Sequence, residues 1–189
     1  MESIAHLNKA VEELEKEKTK NEIIRQLATD ISKPSSLKEK LDAILLVLDQ
    51  RFSLKHTMLL LPDDSQKKLK VFSSRGFDEK GIGAEVNFGE GIIGMVARRK
   101  QKLRLANISR QRKYIHTITD SKLESTTLAL PGLPDVESQI AIPLLVNEEL
   151  IAVLSAESRN LNFFSPEDES FLMTLSQLMA LSILNAIVL

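Results

Sequence analysis

Three glycines, Gly89, Gly91 and Gly94, stand at G-x-G-x-x-G spacing within "VNFGEGIIGMVARRKQKLRLAN", residues 86–107. That spacing is the fingerprint of a turn that cradles a dinucleotide pyrophosphate. The chemistry needs a buried strand before the glycines, a parallel strand after the helix, and an acid about twenty positions on for the ribose. Here the preceding "AEVNF" is a weak strand. The region about twenty positions beyond Gly91 reads "SRQRKY", with no acid until Asp120. The glycines are therefore read as structural. Gly89 and Gly91 serve a tight turn into a helix, Glu90 suits the helix N-terminus, and Gly94 permits close packing. Such an N-terminus still presents N–H groups to an anion.

Other chemistry is sparse. The chain has no cysteine, which excludes disulfides, thiolate metal sites and cysteine nucleophiles. His6, His56 and His116 are scattered, with no carboxylate at ligand spacing, so no metal site is expected. No Ser/His/Asp order or carboxylate pair suggests catalysis, and the chain is read as a non-enzyme. With 25 basic and 26 acidic residues the net charge is -1, which gives no electrostatic case for nucleic acid or an anionic membrane. The N-terminus is polar and no signal peptide, so a cytoplasmic protein is expected. Residues 170–189 carry no charge, but Thr174, Ser176, Gln177, Ser182 and Asn185 interrupt them. A helix buried on several sides fits better than a membrane span.

The positioning elements follow from periodicity. Residues 2–33 read as one long helix, with Ile4, Leu7, Val11 and Leu14 at a/d heptad spacing. Pro34 breaks it. Ser36 and Glu39 have capping-box spacing, and Leu37, Leu41, Ile44, Leu45 and Leu48 mark an amphipathic helix over about 37–51. Strands are expected at 56–62, 69–74, 84–88, 103–106, 138–146 and 150–158, with a helix on "GEGIIGMVARRKQK". Residues 107–137 are polar, weakly periodic and lid-like. Ser165, Pro166 and Asp168 suit the start of the last helix. Sequential strands joined by tight turns give an α+β fold with an antiparallel sheet. The expected division is a helix over 1–34 and a globular domain over 35–189.

These features resemble a known family. "FSSRGF" (72–77), "FGEGIIGMVARRKQKLRLANI" (88–108), "QIAIPLLVNEELIAVLSAES" (139–158) and "FFSPEDESFLMTLSQLMALSI" (163–183) look like a GAF domain, the small-molecule-sensing module of signalling proteins. The resemblance implies a five- or six-stranded antiparallel sheet, helices packed on one face, and a ligand pocket on the other, roofed here by 107–137. It also implies a regulatory role, with ligand occupancy passed through dimeric helices to an output domain such as a cyclase, kinase, phosphodiesterase or transcription activator.

Subtypes separate residue by residue. Covalent bilin attachment and the cysteine chemistry of free methionine sulfoxide reductases both need a thiol that this chain lacks. Cyclic-nucleotide members carry an N-K pair and then F-x-x-x-D-E. Phe164, Asp168 and Glu169 match the second half, but the N-K positions read Glu157-Ser158, so a cyclic nucleotide stays open on half a motif. The cofactor is otherwise undefined. Pocket candidates are Met58, Leu60 and Ser73 from the first strands, Gly91, Gly94 and Arg104 around the glycine turn, and Arg112, Tyr114, His116, Ser125, Thr126 and Thr127 in the lid. The expected partners are a small-molecule ligand and a second copy of the chain, paired through the first and last helices. A ligand-free dimerisation scaffold and a non-covalent tetrapyrrole or haem binder are the alternatives. The ending "NAIVL" reads as a helix cut mid-course, which suggests a domain of a longer protein.

Overall fold

The computed structural model describes residues 2–31, 36–78, 81–110 and 130–188. The chain divides into two compact units, Met1–Pro34 and Ser35–Leu189. The first holds α1 (Glu2–Ile31), 30 residues of uninterrupted helix. Its heptad residues stand open: Ile4 is 66% exposed, Leu7 67%, Val11 51% and Leu14 72%. A stripe of that kind has the a/d spacing that coiled coils use.

The second unit runs α2 (Leu37–Phe52), β1 (His56–Pro62), β2 (Lys68–Arg75), β3 (Glu85–Asn87), α3 (Gly91–Arg99), β4 (Leu103–Leu105), β5 (Ser138–Val146), β6 (Glu149–Ser158) and α4 (Pro166–Val188). The six strands form one sheet in the order β3-β2-β1-β6-β5-β4, with every neighbouring pair antiparallel. The strands that flank α3 lie at opposite edges of this sheet. No parallel β-α-β unit surrounds the glycines, and the dinucleotide reading has no frame to stand on.

The two faces are built differently. One is covered by α2 and α4, which also touch each other. Helix α4 is long and apolar enough to cross a membrane by length and composition. Here Phe171, Leu172, Leu175, Met179, Ala180 and Ile183 are buried within the fold. Helix α3 lies on the other face. Its Ile93, Val96 and Ala97 pack with Met58, Leu60, Val71, Ala141 and Val153 of the strands beneath.

Local chemistry sets the element ends. Ser36 caps α2 in a reciprocal box with Glu39, whose carboxyl is held below its usual range by the Ser36 N–H and hydroxyl. Ser165 and Asp168 do the same for α4. The Ser165 N–H donates to Asp168 Oδ2 at 2.9 Å, and the Asp168 N–H donates to Ser165 Oγ at 3.1 Å. In the β1–β2 turn, the Asp63 carboxylate accepts from the Ser65 hydroxyl and the Lys67 and Lys68 N–H groups. Those donors pull its pKa to about 2.

Candidate functional site

A cavity of about 260 Å³ opens on the α3 face of the sheet. Its walls are Val86, Glu90 to Ile93, Leu130, Pro131, Gln139 and Glu157. Three parts of the sequence meet there: the first turn of α3, the segment 130–131, and the paired ends of β5 and β6.

The polar groups come from the strand pair. Gln139 faces Glu157 across the β5–β6 ladder, and Ala141 faces Ser155. Gln139 is only 7% exposed and Ser155 is wholly buried. The Gln139 carboxamide donates to Ser155 Oγ at 3.0 Å, which fixes its orientation. Glu157 accepts from the Leu133 N–H at 2.8 Å and so ties Leu133 to the sheet. Buried polar side chains on a face otherwise built of Met58, Leu60, Val153 and Ala141 cost stability unless they hold partners. Here Gln139 and Ser155 hold each other, and Glu157 holds the Leu133 N–H.

Helix α3 contributes backbone. No side chain caps it. Glu90 sits at the N-cap, but its carboxylate turns back to Asn87 and accepts from the Asn87 side chain at 2.9 Å. Gly91, Ile92 and Ile93 of its first turn, at the positive end of the helix dipole, line the cavity. Gly91 has φ +58°, and a Cβ there would meet no atom within 4 Å. Gly94 is the opposite case. A Cβ on it would lie 2.2 Å from the Asn87 carbonyl oxygen, so only glycine lets the helix seat against the end of β3.

The expected site residues scatter. Gly91 lines the cavity, and Gly94 lies buried behind it. Met58 and Leu60 are on the right face but wholly buried beneath α3, outside the cavity wall. Ser73 is on the wrong face. Val71 pairs with Leu60 but Ser73 pairs with Leu59, because a bulge shifts the register between them. The Ser73 hydroxyl donates to Asp42 of α2 at 2.6 Å. Arg104 also points to the helix face. It donates to Glu169 at 2.8 Å and to the Phe164 carbonyl at 2.9 Å. Arg112, Tyr114, His116, Ser125, Thr126 and Thr127 lie outside the described residues.

Phe164, Asp168 and Glu169 have structural employment. Phe164 is buried against Phe163, Asp168 caps α4, and Glu169 pairs with Lys102 and Arg104. Lys102 and Arg104 hold the Glu169 carboxyl below its usual range. Gln139, Ser155 and Glu157 were missed by the sequence reading. Gln139 and Glu157 face each other in the hairpin register, and Ser155 lies two residues from Glu157 on the same face.

The chain matches the family model of the GAF domain over residues 34–183. No curated protein matches it at a significant level. Among solved structures it is similar to the GAF domain of an Acinetobacter phosphoenolpyruvate-protein phosphotransferase, at TM-score 0.72 and 21% identity, covering 89% of this chain and 94% of that one. The GAF domain of the corresponding Coxiella burnetii protein gives 0.69 and 23%, covering 90% and 96%. The free methionine-R-sulfoxide reductase of Neisseria meningitidis, solved in complex with its substrate, gives 0.68 and 17%, covering 88% and 89%.

Proposed function

The chain belongs to the GAF domain family, and we propose on that premise that it is a regulatory sensor whose cavity takes a small amino-acid-like zwitterion. The observation that carries this reading is the pair Gln139 and Glu157 at one wall, with Gln139 held by the buried Ser155, and the α3 first turn, which no side chain caps, at another. A ligand ammonium suits the Glu157 carboxylate, a ligand carboxylate suits the helix N-terminus, and the fixed Gln139 amide orients what lies between. The Neisseria neighbour, which acts on a free amino acid derivative, supports the class. We infer binding without turnover, since the chain has no cysteine to supply a thiol. Asp168 caps α4 and Glu169 pairs with Lys102 and Arg104, so the half-motif adds no support to a cyclic nucleotide.

Signalling rests on a dimer in this proposal. The open Ile4–Leu14 stripe of α1 is covered by the same stripe of a second copy. Ligand shifts the arrangement of the paired helices only if it binds one arrangement better, and a coupling of about 1–3 kcal/mol is enough. A thermal-shift panel of free amino acids and methionine sulfoxide tests the ligand class. A ligand at a hundred times its Kd adds about 2.7 kcal/mol, or about 5–10 °C for a domain of this size. Stabilisation that disappears in Glu157→Gln supports the reading. No stabilisation by any member of the panel sinks it and leaves a dimerisation scaffold.

A further inference from the structure

A second cavity, of about 330 Å³, lies at the same end of the sheet and shares Glu157 with the first. Ser53, Lys55 and His56 line one side, and Ser158, Arg159, Asn160 and Phe163 the other. Two chain segments meet there because His56 and Glu157 are partners in the β1–β6 ladder. Ser53 ends α2 in the left-handed conformation, with φ 56°, and Lys55 lines the cavity just before β1 begins.

The charge pattern is one-sided. Among the described residues the side chains of Lys55 and Arg159 make no ion pair or hydrogen bond. Both are close enough to His56 to disfavour its protonation, in addition to the burial of the ring. Around that ring stand Lys55 just before β1, Glu157 on β6, Arg159 beyond β6, Asp49 on α2, Asp78 and the Phe77 ring. Asp49 is paired with Arg75 at 2.8 Å, and Glu157, which accepts the Leu133 N–H, is the one carboxylate in the wall. Two unpaired cations therefore flank a half-buried neutral imidazole at a concave surface.

We propose that this cavity binds a tetrahedral oxyanion of the phosphate type, held between the Arg159 guanidinium and the Lys55 ammonium with the His56 ring as third partner. Guanidinium and ammonium groups form their shortest hydrogen bonds to such oxygens. The cavity has room for a small molecule that carries the group. Burial disfavours the charged ring and the two cations add to that; a bound anion offsets the cations and favours the imidazolium, so the anion and a proton on His56 enter together.

Inorganic phosphate titrated into the full chain at constant ionic strength is the test, read by NMR of the histidine ring protons. The expected result is a saturable shift of the His56 resonances and a rise of its pKa by about one unit, equal to about tenfold tighter binding to the protonated form. His6 stays still. Lys55→Gln with Arg159→Gln abolishes the effect; both residues are exposed, so the fold survives the change. Glu157→Gln removes the one anion in the wall and tightens phosphate about threefold. It weakens the zwitterion of the first cavity, so the two proposals fail independently. No saturable shift, an equal shift in the double variant, or weaker phosphate binding in Glu157→Gln overturns the inference.

Discussion

Gly94→Ala is the sharpest perturbation of the frame that holds the cavity. The new Cβ would sit 2.2 Å from the Asn87 carbonyl oxygen and 3.1 Å from the Gly89 nitrogen. Ordinary contact begins at 3.4 Å, so the backbone must give by 3.4 less 2.2, about 1.2 Å. Neither neighbour is a flexible side chain. The Gly89 N–H also donates to the Gly94 carbonyl at 2.6 Å, which locks the same turn. Overpacking costs about 1–3 kcal/mol, and an overlap of this depth against backbone belongs at the upper end. Alanine in a helix interior returns about 1 kcal/mol. The net loss is about 2 kcal/mol, or about 4–8 °C in Tm for a domain of this size. Gly91→Ala is the control. It meets no atom but must adopt φ +58°, at about 1 kcal/mol. Thermal and urea unfolding of both variants decide the matter. If Gly94→Ala melts no lower than Gly91→Ala, the close approach of α3 to β3 is not what requires the glycine.

Other outcomes follow from the same geometry. Glu169→Gln leaves Lys102 and Arg104 without their anion and should cost about 1–2 kcal/mol at neutral pH, since charge-assisted bonds are strong but Lys102 is partly solvated. Because the folded pKa of Glu169 is lowered, that deficit should close as pH falls below its ordinary 4.5; urea melts across that range check it. His56 is depressed in the folded state, so its contribution is complete above its ordinary 6.5 and is lost as pH falls below that value toward the folded pKa. Substitution by Gln should flatten that slope in chemical denaturation. Val11→Asp with Leu14→Asp places charge on the open stripe of α1 and should convert a dimer to monomer in sedimentation; an unchanged dimer removes α1 from the interface.

The strands and helices were legible because period-2 and period-3.6 patterns are local, and the caps at Ser36 and Ser165 are local too. Asp168 was read both as half a nucleotide motif and as a helix cap, and the cap is what it makes. Site geometry was less legible because it depends on register. Simple alternation along the first strands puts Ser73 on the cavity face, and one bulge opposite Leu59 and Leu60 turns it to α2. Arg104 meets Glu169 across 65 positions of sequence, a pairing no local pattern predicts. Gln139 and Glu157 needed only the hairpin register counted out from the turn at Asn147 and Glu148, through the shift at Leu144 and Leu145. Apolar runs drew attention to what was buried, while the chemistry sat in the polar residues interrupting them.

The most direct test of the sensor reading is native mass spectrometry of the full chain with the amino-acid panel, for wild type and for Glu157→Gln. The account predicts a saturable adduct of one small molecule per subunit, retained by wild type and lost on removal of the carboxylate. Wild type with no adduct, or an adduct that Glu157→Gln holds equally well, would contradict it.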